Sequence, residues 1–156
     1  MEISMNYSEK ARKLFKEKGY NCAQAVFLAF SDVTGIDEGI AAKLSSSFGG
    51  GMGRLREVCG AVSGCFMVLG TVMGSDDPKD HEAKKAHYAV IQEAAARFKE
   101  ENGSYICREL LGLGAGASDP APEKRTEEYY RRRPCDEYVA VAAGITEDIL
   151  IKYNKI

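Results

Sequence analysis

The chain has 156 residues, enough for one domain that buries about 68–70% of the surface its unfolded form exposes. Hydrophobic residues make up 45% and charged residues 28%, which excludes a disordered or fibrous chain. Lys and Arg total 21 against 23 Asp and Glu, a net charge of -2, so the basic face of a general nucleic-acid binder is absent.

In chain order the periodicity is helical. Tyr7, Ala11, Leu14 and Phe15 mark a first helix, capped by Asn6 or Ser8 and ended by Gly19. Cys22, Ala25, Val26, Ala29, Phe30 and Val33 form one apolar stripe on a second. Asp37 can cap a third that carries Ile40, Ala41, Leu44 and Phe48. Gly49-Gly50-Gly51-Met52-Gly53 then breaks any regular element. A fourth helix resumes near Leu55 with Cys59, Val62, Phe66, Leu69 and Met73 on one face. Asp76 or Asp77 can cap a fifth, with Pro78 in its first turn. This longest helix runs to about Glu101 with Ala83, His87, Val90, Ile91, Ala94 and Phe98 inward. Ser104 starts a short helix through Cys107, Leu110 and Leu111, and residues 112–123 read as a loop. A charged patch holds Glu127, Glu128, Arg131, Arg132 and Arg133. Pro134 opens the last helix, with Cys135, Tyr138, Val139 and Ala142, to be broken at Gly144 before a continuation to Tyr153. No stretch alternates long enough for a strand. The fold class is all-α: residues 1–156 form a single-domain bundle of five to seven helices, with a Gly-rich loop ahead of the helix that carries Cys59-Gly60-Ala61-Val62-Ser63-Gly64.

The apolar stretch from Val58 to Met73 is interrupted by glycines, a serine and a threonine and is too short and polar to span a bilayer. The basic segment Met1 to Lys18 has no apolar run after it and does not read as a secretory signal. Both point to a cytoplasmic protein without membrane insertion. In that compartment static disulfides are not expected among Cys22, Cys59, Cys65, Cys107 and Cys135, and an odd count leaves one thiol unpaired in any scheme.

Four of these cysteines, Cys22, Cys59, Cys107 and Cys135, fall at helix beginnings. The positive end of a helix favours a thiolate, and Arg54 and Arg56 near Cys59 and Arg133 near Cys135 would strengthen that field. Each cysteine alone is equally explained as a small buried hydrophobe. No C-x-x-C is present, which removes thioredoxin-type and zinc-ribbon motifs. Four thiolates brought together from separate helices would suit an iron–sulfur cluster or a tetrahedral zinc ion. Gly60 and Gly64 leave one face of their helix as bare backbone, which calls for the close approach of another helix or of a bound group.

GYNCAQAV at residues 19–26, FGGGMGRLREVCGAVSG at 48–64, ICRELLG around Cys107 and RPCDEYVAVAA at 133–143 occur in one order. This arrangement resembles the redox-active protein family named for its C_GCAxxG_C_C pattern, with a CGAxxG motif and four characteristic cysteines, over about residues 6 to 153. The resemblance implies that Cys22, Cys59, Cys107 and Cys135 are the functional set and that Cys65 is core or an accessory thiol. It implies redox activity without a defined reaction, and enzymatic status stays open.

Three functions follow as expectations. The first is an iron–sulfur or other metal centre for electron transfer, held by Cys22, Cys59, Cys107 and Cys135. The second needs no cofactor: thiol–disulfide chemistry or redox sensing through a catalytic pair such as Cys59 and Cys107. The third is a helical interaction module with a structural zinc site. The partner would be an unidentified redox protein, and a homodimer is compatible with the sequence. The glycine loop could cradle a phosphate, yet it lacks the spacing of a nucleotide site. His87 is a core histidine or else a fifth ligand, proton shuttle or thiol-activating base. His81 reads as solvated, Glu57 as a dipole-placed glutamate beside Cys59, and Arg131 to Arg133 as a solvated face.

Overall fold

A computed structural model describes residues 6–156; the reading of the first five as part of a non-signal N-terminus lies outside the described residues. The described residues fold into ten helical segments with no β-strand. They are α1 (Tyr7–Lys16), α2 (Cys22–Ala29), α3 (Ser31–Thr34), α4 (Glu38–Ser46), α5 (Gly49–Met52), α6 (Gly60–Met73), α7 (His81–Asn102), α8 (Cys107–Leu110), α9 (Glu127–Arg132) and α10 (Cys135–Lys152). The class is all-α. Six segments have eight residues or more, as the periodicity requires; the excess over the expected five to seven comes from short pieces that carry too little periodicity to be read.

α2 is the centre of the molecule. Ala23, Ala25, Val26, Phe27, Leu28 and Ala29 are all buried, so it is apolar all round and packs against α1, α4, α6 and α10. Asn21 starts it with a reciprocal cap: its side-chain oxygen accepts from the Gln24 N–H, and the Gln24 side chain accepts from the Asn21 N–H. Both side chains also donate to α4, at the carbonyls of Ser46 and Ala42. The apolar stripe continues to Val33, but the helix does not. Phe30 leaves helical geometry (ψ 23°) to stack on Tyr7, with ring centroids 4.2 Å apart, and α3 restarts beyond it.

Four further features differ from the sequence reading. Asp37 caps α4 as expected, yet Ile40 and Leu44 face solvent at 61% and 54% exposure, while Ala41 and Ser45 are the buried residues. Residues 54–58 are not helical, and α6 begins only at Gly60, with Cys59 as its cap. Asp80 rather than Asp76 or Asp77 caps α7, by accepting from the Ala83 N–H, and Pro78 stays in the preceding turn. α10 passes through Gly144 without a break, because that glycine is where the Ser8 side chain of α1 comes close.

α6 lies against α2 at the two motif glycines. A Cβ on Gly60 would sit 3.0 Å from the Phe48 carbonyl and 3.1 Å from Cys22 Cβ; one on Gly64 would sit 2.8 Å from both the Ala23 carbonyl and Val26 Cβ. Close helix packing therefore accounts for Gly64, and at Gly60 it also sets the distance between two cysteine-bearing helix ends. Replacing Gly64 by Ala raises helix propensity by about 1 kcal/mol but forces backbone apart. Urea unfolding of Gly64→Ala is expected to show a net loss of about 1–2 kcal/mol; a variant as stable as the parent would contradict this packing.

Candidate functional site

The four helix starts meet. Cys22, Cys107 and Cys135 are the first residues of α2, α8 and α10, Cys59 is the cap of α6, and all four line one cavity of about 290 Å³. Cys22 is half-buried and the other three are buried; none forms a disulfide. Cys65 lies elsewhere in the core, against Thr146 of α10.

An isolated antiparallel bridge between Val58 and Ile106 places two of the sulfurs. The Cys59 N–H donates to the Tyr105 carbonyl (2.9 Å) and the Cys107 N–H to the Glu57 carbonyl (2.6 Å). Cys59 and Cys107 thus lie diagonally on one face of the bridge. The chain reaches it through a left-handed run: Gly50, Gly51, Met52, Gly53, Arg54 and Arg56 all have positive φ. At Gly51 (φ +70°) a Cβ would sit 2.6 Å from Cys107 Cβ, so only glycine lets the loop press on that cysteine. The N–H groups of Met52, Gly53, Arg54, Arg56 and Glu57 donate to the carbonyls of residues 48–51, so these five are not free to cradle a phosphate.

The electrostatics correct the expectation that helix ends make these thiols acidic. Burial pushes the Cys59 pKa up to about 12, outweighing the downward pull of the Ala61 and Val62 N–H groups. Burial also raises Cys107, against the pull of Arg56. Cys22 and Cys135 share a side-chain hydrogen bond that lowers Cys135, with further help from Arg133 and Arg56, and raises Cys22 well above its usual value. One thiolate, on Cys135, is the favoured ionised form of the set.

Arg56 is buried (3% exposed) and reaches not Cys59 but Cys107, its Nη1 donating to Sγ at 3.6 Å, while Nε donates to Ser118 Oγ at 2.9 Å. Arg54 points to the Asp119 carbonyl (2.6 Å) and lies 4.0 Å from Glu123. Arg133 is likewise buried and pairs with Glu123, so it is not part of a solvated face; Arg131 is exposed, and the Arg132 side chain lies outside the described residues. Arg125 crosses the Phe15 ring and donates to the carbonyls of Phe15 (2.6 Å) and Tyr20 (2.8 Å). The loop at 112–126 is therefore strapped over the cavity, and none of its residues carried a sequence signal beyond turn composition.

Glu57 faces outward in an ion pair with Arg108 (2.6 Å), and His81 is exposed at the start of α7. His87 packs beside Gly70 with its Nδ1 unpartnered and does not line the cavity. Among the described residues no group of three or more His, Cys, Asp or Glu side chains is gathered closely enough to hold a metal ion as it stands. No helix of the described residues is long and apolar enough to cross a membrane.

Comparison with known families matches residues 20–149 to "Putative redox-active protein (C_GCAxxG_C_C)". The chain belongs to this family. No curated protein and no solved structure matches it. The matched span begins two residues before Cys22, ends within α10, and contains all four cavity cysteines and the glycine loop between them.

Two predictions follow from the thiol environments. Brief iodoacetamide treatment near neutral pH should label Cys135 first and Cys59 and Cys65 last, read by peptide mass spectrometry; equal labelling of all five would contradict the assigned environments. Cys65 is raised by burial from 9.0 to about 11, so above pH 9 the unfolded chain loses a proton that the folded chain keeps. Its contribution is complete below pH 9 and is lost as pH rises towards 11, with a slope approaching about 1.4 kcal/mol per pH unit. Unfolding free energies of Cys65→Ala against the parent should differ by less at pH 11 than at pH 8.

Proposed function

We propose that this family member works by thiol–disulfide exchange, with Cys135 as the attacking sulfur and Cys22 as its resolving partner. The observation that carries the reading is the placement of these two cysteines at the first residues of α2 and α10 in one cavity lined by arginine, where each is the main influence on the other's ionisation. It differs from the pair drawn from sequence, Cys59 and Cys107, which the bridge holds as diagonal neighbours in the same cavity. Cys135 thiolate attacks one sulfur of an external disulfide, forming a mixed disulfide and expelling a thiolate, which takes up a proton. The Cys22 sulfur, giving up its proton, then attacks Cys135 Sγ and releases the second half as a thiolate. The protein ends as a Cys22–Cys135 disulfide, and the external disulfide has gained two electrons. Arg133 and Arg56 stabilise the thiolate at the start of this sequence.

A second reading is favoured by one observation: all four thiols face a single space larger than a lone ion needs. Cys22, Cys59, Cys107 and Cys135 are the donors that would hold an iron–sulfur centre, which would supply one-electron transfer. Their chemistry suits such a centre, whereas their present placement is not gathered for one. A structural zinc site on the same sulfurs has the same support and the same difficulty.

Protein isolated without oxygen separates these readings. For the dithiol, the free-thiol count falls from five to three on oxidation by a small disulfide, peptide mapping finds Cys22 joined to Cys135, and Cys22→Ala traps the mixed disulfide on Cys135. Stoichiometric iron and sulfide with absorbance near ~400 nm would favour the cluster instead, and stoichiometric zinc the structural site. A fixed thiol count in metal-free protein would overturn all three.

A further inference from the structure

The guanidinium of Arg56 is incompletely used by the protein. Nε and Nη1 are occupied by Ser118 and Cys107, but Nη2 is buried with no hydrogen-bond partner among the described residues. Leaving a charged donor unpaired inside a protein is unfavourable, and here the backbone is held left-handed (φ +63°) at the same residue. Arg56 lines the thiol cavity together with Arg54, Arg125 and Arg133, and Glu123 is the one carboxylate in that lining among the described residues. Arg54 and Arg133 share Glu123, and Arg125 is spent on carbonyls. Four guanidiniums against one carboxylate leave an excess of two positive charges even when one cavity thiol is ionised. A cleft of one sign walled by protein concentrates ligands of the other.

We propose that the cavity binds a carboxylate carried by the redox substrate, and that Arg56 Nη2 receives it beside the Cys107 sulfur. Nη1 and Nη2 stand on the same carbon, so an anion on the free nitrogen lies next to the sulfur bonded to the other. The substrate class is a small disulfide with a carboxylate within a bond or two of its sulfur. The redox step rests on the dithiol reading, but the anion site does not.

The test therefore begins with ligands that transfer no electrons. Calorimetric titration of the reduced protein with thiodiglycolate, a thioether dicarboxylate, should show saturable one-site binding, and its neutral analogue thiodiethanol should show none. Thiodiglycolate should also slow alkylation of Cys107 by iodoacetamide at least several-fold in the parent protein. Arg56→Lys keeps the charge and loses the forked donor, and should weaken binding by about tenfold or more, the range of a lost charge-assisted hydrogen bond. Equal binding of the charged and neutral thioethers, unprotected Cys107, or unchanged affinity in folded Arg56→Lys would each overturn the site. If Arg56→Lys does not fold, the comparison of thioethers and the protection of Cys107 decide it in the parent chain. Oxidation by dithiodiglycolate should then outpace that by bis(2-hydroxyethyl) disulfide, each consuming two protein thiols and releasing two small ones. Failure of both disulfides with thioether binding intact would reject the dithiol reading and leave the anion site standing.

Discussion

The close approach of α2 and α6 at Gly60 is the contact on which the rest depends. Two helix ends, each bearing a sulfur, meet where a single added carbon would crowd Cys22 Cβ and the Phe48 carbonyl. Burial around α2 supplies the driving force, since apolar area removed from water contributes about 25 cal/mol per Å². The bare face of α6 turns that non-directional force into a fixed separation. Everything downstream inherits it: the bridge at Val58 continues directly into Cys59, and the bridge in turn sets Cys107.

The sulfurs show how desolvation and local dipoles compete. A helix end is worth up to about 2 kcal/mol at a favourable site, and at Cys59 that is too little to offset the loss of water around a buried thiolate. Only where a second thiol, that of Cys22, and two arginines act together, at Cys135, does the balance tip toward the ionised form. The position of a cysteine in a helix is thus a weak guide to its reactivity. Its polar neighbours across the fold decide it.

Much of this architecture was legible from the chain alone, where local chemistry is decisive. Asn6, Asp37 and the Asn102-Gly103 pair mark helix ends because their side-chain or backbone preferences act within one turn. The four cysteines were readable as a set through their motif. Other features were not, for physical reasons. The break at Phe30 follows from a ring stacking on Tyr7 from another helix, and Gly144 stays helical because α1 crosses there. Ile40 and Leu44 kept a helical apolar spacing but lie on the side of α4 that no element among the described residues covers. The pairing of Cys22 with Cys135, and the turn of Arg56 away from Cys59 toward Cys107, depend on contacts between residues more than fifty positions apart.

The left-handed backbone at Met52, Arg54 and Arg56 has an evolutionary corollary. Each non-glycine residue there carries a conformational penalty of about 1–2 kcal/mol that glycine would escape. Selection for heat resistance alone would therefore drift toward glycine at these positions and strip the guanidiniums from the wall. A lineage that keeps arginine at 54 and 56 is retaining charge at the expense of melting temperature.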